Sequence, residues 1–181
     1  FIIFVILILS LVKFDLSRSS IEEIEKGVNI INLATLRLQN MINSWLWSLV
    51  LVAGSSFTYT TASIKANTEK LSYYSSQLEN ELGTIQDRTW IKRAFEKDIS
   101  FWNTAIQGDN QEKMIDTFMA TNILLTKYLR IQNSKSLLQV KMIPDLAQIF
   151  NNTSNDYITS SNELITATID ILDGIIAKEL L

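Results

Sequence analysis

Four arginines, Arg37, Arg88, Arg93 and Arg130, are the residues best suited to hold a ligand. A guanidinium is planar, permanently charged and offers paired N–H groups, so each is a candidate for bidentate binding of a carboxylate. Three carboxylates, Glu22, Glu23 and Glu25, crowd one stretch. No second carboxylate pair stands at helix spacing beside them, so they read as a solvated helix start rather than a metal cluster. The chain has no Cys and no His. That removes thiolate and imidazole nucleophiles, the Ser-His-Asp arrangement and the common zinc and iron sites. Glycine-rich phosphate loops, EF-hand spacing and Glu-x-x-His pairs are also missing. No enzyme activity, cofactor or metal is expected; a small-molecule ligand at the arginines is the chemistry left.

What must position those side chains follows from composition. The 181 residues are 47% apolar, enough for one domain with a core. With 16 basic and 19 acidic residues the net charge is -3, which gives no basic surface for a nucleic acid. Five Gly and one Pro are few chain breakers. The expectation is an all-α fold, an up-and-down bundle of four to five long helices.

The dominant pattern runs from Ile21 to Val52. Positions 21, 24, 28, 31, 35, 38, 42, 45, 49 and 52 are Ile, Ile, Val, Ile, Thr, Leu, Ile, Trp, Leu and Val. This is an apolar seam at coiled-coil spacing, which the other helices are expected to cover. Ser20-Ile21-Glu22-Glu23 is a capping box that would start the helix near residue 20, and Gly54 is its expected C-cap. Residues 38–64 carry no formal charge. They read as the buried centre of the bundle, with an oligomer surface or a second membrane segment as alternatives.

Upstream lies the apolar run Phe1, Ile2, Ile3, Phe4, Val5, Ile6, Leu7, Ile8, Leu9, Leu11 and Val12, interrupted only by Ser10. As a helix it rises about 18 Å, against roughly 30 Å for a bilayer core. Residues 1–14 are therefore read as the C-terminal part of a transmembrane or anchor helix, and 15–181 as the bundle domain. The following flank holds Asp15, Glu22, Glu23 and Glu25 against Lys13, Arg18 and Lys26. A flank that is not basic points to an extracytoplasmic domain.

Downstream, a second helix is expected from about Thr61 to Asp87. A third would use Ile91, Phe95, Ile99, Trp102 and Ile106 and stop at Gly108. Asp109-Asn110-Gln111-Glu112 reads as a capping box for a fourth, and Pro144 as the start of the last, loosened by the polar patch 151–156.

This layout, an N-terminal membrane helix followed by a long capped helix and helices returning up and down, resembles the extracytoplasmic four-helix-bundle sensor domain of chemotaxis receptors and some sensor kinases. The resemblance implies ligand sensing at a dimer interface and signal transduction by small helix displacements. It assigns no ligand-contact residue, because no motif aligns. Two other readings fit: a subunit of a membrane-anchored or filamentous assembly working through helix packing, and a pore-forming or membrane-inserting protein. A homodimer or larger oligomer is expected.

Overall fold

The computed structural model describes residues 2–85, 98–104, 110–142 and 144–179. In chain order they form α1 (Ile2–Val52), α2 (Phe57–Gly83), the strands β1 (Ile99–Thr104) and β2 (Asn110–Ile115), α3 (Thr117–Gln132), α4 (Leu137–Met142) and α5 (Asp145–Asn152). A π-helical turn, Thr153–Tyr157, leads into α6 (Ile158–Glu179). The class is all-α, with one small hairpin.

Helix α1 is a single element of 51 residues. No Pro interrupts it, and the capping box at Ser20 lies inside it, where the backbone ladder already supplies what a cap would offer. The helix ends where expected. Gly54 takes φ of 93°, and the amide of Ser55 reaches back to the Val50 carbonyl at 3.4 Å, closing the last turn.

The apolar start of α1 does not make a membrane span. Among the described residues no helix is long and apolar enough to cross a bilayer. The described apolar run, Ile2 to Val12, is short of spanning length and passes straight into Lys13, Asp15 and Arg18. This corrects the membrane-anchoring assignment of Ile2, Ile3, Phe4, Val5, Ile6, Leu7, Ile8, Leu9, Leu11 and Val12. It also corrects the alternative of a second membrane segment at 38–64, and the membrane-anchored, extracytoplasmic placement that rested on residues 1–14 and their flank. Phe1 lies outside the described residues.

A hairpin stands where two helices were expected to meet. β1 and β2 pair antiparallel, Ile99 opposite Ile115 and Phe101 opposite Lys113. Ile99, Phe101 and Ile115 are buried while Met114 is exposed, so residues on alternate positions go in and out as a pleated strand requires. The spacing of Ile99, Trp102 and Ile106 mimics a helix; a two-residue alternation this short is hard to tell from it. Ile91, Phe95 and Ile106 lie outside the described residues.

Two clusters form the core. In one, Ile30, Leu33 and Ala34 of α1 meet Leu78 and Leu82 of α2 and Leu164 of α6. In the other, Met41 and Leu51 meet Ile64, Leu71, Leu124 and Tyr128, with the buried hairpin residues and α5 closing over them. The order of these contacts sets direction: α2 runs antiparallel to α1, and so does α6, with Leu172 beside Gly27 and Leu164 beside Ala34. Arg37 sits on α1 between the two clusters.

Pro144 stands at the start of α5, as expected, and the patch 151–156 is the π-helical turn. One extra residue per turn there carries Tyr157 inward, where its hydroxyl lies 2.7 Å from that of Thr121.

Candidate functional site

The buried face of α1 is not its most apolar one. Gly27, Ile30, Ala34, Arg37, Met41, Ser44, Ser48 and Leu51 point inward. Small residues let the neighbouring helices approach closely. At Gly27 a Cβ would run into the Leu172 side chain, 2.9 Å from its Cγ. Ser44 and Ser48 satisfy their buried hydroxyls on their own helix, bonding the carbonyls of Asn40 at 2.8 Å and Ser44 at 2.9 Å. The apolar seam is left at the edge. Phe14, Ile21 and Val28, seven residues apart, are 69%, 64% and 55% exposed; the row continues through the exposed Thr35 and the half-buried Ile42 to Leu49, 39% exposed.

Of the four candidate arginines, Arg88 and Arg93 lie outside the described residues. Arg130 is on α3, beside Asp145 of α5. Asp145 is 2% exposed, and accepts from Lys127 at 3.2 Å and Arg130 at 3.3 Å. That buried carboxylate is compensated by both cations, and Arg130 is engaged in an internal pair. The structure does not bring Arg37 to it.

Arg37 is different. Its side chain is 0% exposed. The guanidinium lies over the Phe118 ring, 4.8 Å from the centroid, and Nη2 is 3.5 Å from the Thr117 hydroxyl. Among the described residues Nε and Nη1 have no hydrogen-bond partner. No carboxylate of the described residues is within ion-pair distance of it. Thr117 and Phe118 open α3, whose N-cap Asp116 accepts from the Met119 amide at 2.7 Å. The guanidinium therefore faces the positive end of a helix dipole.

Between these charges runs a neutral polar layer. Tyr128 is fully buried, and burial pushes its hydroxyl far above the usual phenol range. The Ser48 and Thr153 hydroxyls temper that rise, though none meets the Tyr128 oxygen in hydrogen-bond geometry.

A cleft of about 480 Å³ opens between α1, the end of α2 and α6. Ile30 and Leu172 line its inner wall and Glu22, Glu23 and Lys26 its solvated rim. Glu22 is already engaged by Arg18 at 3.2 Å. No unpaired buried polar group is among its lining residues, so the cleft lacks the convergent groups of a binding site.

No known protein family, curated protein or solved structure matches the chain. Two features of the described residues stand out, the exposed row of α1 and the buried Arg37. The seam expected from the sequence is covered by this chain in part, at Leu38, Trp45 and Val52, and is open at Ile21, Val28 and Leu49. The missed signal was the row of Gly27, Ala34, Ser44 and Ser48 on the opposite face, small enough to be the packing side.

Proposed function

We propose that the chain is a helical assembly module whose α1 packs along the α1 of a second copy. The observation that carries this reading is the exposed row Phe14, Ile21, Val28 and Leu49. In this reading the remaining helices are an up-and-down bundle that holds α1 and leaves one edge of it open.

A second copy is the occupant best suited to the row. Side chains repeated every seven residues present the same layer to an identical helix. The companion positions Ile24 and Ile31 are half-buried and Leu38 is buried, so a narrow seam remains, suited to a pair rather than a larger ring. Exposure falls from 69% at Phe14 to 39% at Leu49. A parallel pair brings the two most exposed ends together. From Leu11 to Leu49 the helix rises about 58 Å, and a strip about 10 Å wide on each copy buries roughly 1,200 Å² in total. That is at the lower bound of stable interfaces.

Light scattering on the chain is expected to give twice its 20.6 kDa mass. Ile21→Asp and Val28→Asp each return it to one chain while circular dichroism stays helical, because these side chains support no core. Single cysteines at 21 and 28, in a chain that has none, should each cross-link to themselves. A wild-type monomer, or Asp variants that keep the double mass, would sink the proposal.

Ligand binding is the second reading, and the buried Arg37 favours it.

A further inference from the structure

We infer that a small oxyanion of carboxylate or phosphate type binds in the core, at the end of the Arg37 guanidinium and beside the first turn of α3. This does not depend on self-association through α1. A guanidinium stays protonated at any pH the fold survives, so it cannot escape burial by losing its charge. Arg37 is 0% exposed, yet two of its three nitrogens have no partner. The contact from the third, 3.5 Å to the Thr117 hydroxyl, is a weak one.

The other buried charges among the described residues, Lys127 and Asp145, are paired. Asp145, as deeply placed, has two cations within 3.3 Å. Arg37 instead has the π face of Phe118 on one side and the N-terminus of a 16-residue helix beside it. Both guanidinium and helix terminus are positive, and each alone is unfavourable for the other. A single anion compensates the two at once. It would accept from Nη1 and Nη2, whose N–H groups run side by side at the end of the guanidinium as an oxyanion takes them in bidentate fashion, and from the Thr117 hydroxyl beside Nη2. Asp116 is the acidic group of that helix start, and its carboxylate is turned onto the Met119 amide at 2.7 Å. The Asp116 charge is therefore tied to the helix it caps.

The test uses the full chain, equilibrated in chloride and titrated at constant ionic strength with sodium formate, acetate or inorganic phosphate. Two readouts are followed, the melting temperature and the Nε–H resonance of Arg37. At a hundredfold excess over Kd the melting temperature should rise by about 5–10 °C, and the Arg37 resonance should shift saturably. Arg37→Met should melt above the wild type in chloride and lose that lead in the effective anion. A response to formate or acetate alone assigns a carboxylate, and one to phosphate alone assigns a phosphate; either supports the site. If Arg37→Met does not fold, the wild-type resonance decides. A wild-type chain that carries no bound anion by native mass spectrometry, and whose melting temperature and Arg37 resonance ignore all three probes, overturns the inference.

Discussion

Tyr128 and Asp145 show how single side chains in this core respond to solvent conditions and to deletion. Burial raises the Tyr128 hydroxyl from the usual 10.0. Above pH 10 the unfolded chain releases this proton and the native one keeps it. The unfolded state then binds fewer protons, so stability is intact below pH 10 and declines as pH rises. The decline attributable to Tyr128 is about 1.4 kcal/mol per pH unit. Tyr128→Phe should remove it, and denaturant melts of both proteins between pH 9 and 11 measure the difference. Parallel curves would contradict the assignment. Asp145→Ala is expected to destabilise by about 3 kcal/mol at neutral pH, since it strands Lys127 in the interior. Arg130, 64% exposed, adds little to that figure. Urea titration checks it: a loss under 1 kcal/mol would mean that Lys127 finds water easily.

At the level of elements, two glycines within helices make opposite predictions. Gly27 on α1 lies against Leu172, whereas a side chain at Gly174 on α6 would meet nothing within 4 Å. Alanine favours helix over glycine by about 1 kcal/mol at either site. At Gly174 that gain should appear in full as a higher melting temperature. At Gly27 the clash with Leu172 pushes α6 off α1, at a loss of about 1–3 kcal/mol that outweighs the propensity. Equal effects from the two substitutions would mean that α6 does not pack closely here. The hairpin is the element least legible in the sequence. Ile99, Phe101 and Ile115 are buried in the cluster that holds Met41 and Tyr128, contacts that local periodicity does not encode.

Across the whole molecule, the main result is that α1 has two usable faces and the fold takes the smaller one. The apolar row from Phe14 to Leu49 is then available for a second copy, and Ile21→Asp is the substitution expected to separate assembly from folding. The same choice places Arg37 in the interior, where the anion titration tests why a permanent charge is kept there.

Long apolar periods and scarce breakers made the all-α class and α1 as a helix readable from the chain alone, as were the Gly54 cap and the helix start at Pro144. These are local matters, decided by residues within a turn or two of each other. Which face of α1 is buried was decided only by tertiary structure, because it depends on how closely α2 and α6 can approach Gly27, Ala34, Ser44 and Ser48. The isolation of Arg37 and the pairing of Arg130 with Asp145 were settled in the same way. An arginine's partners lie across the fold, and spacing along the chain carries no record of them.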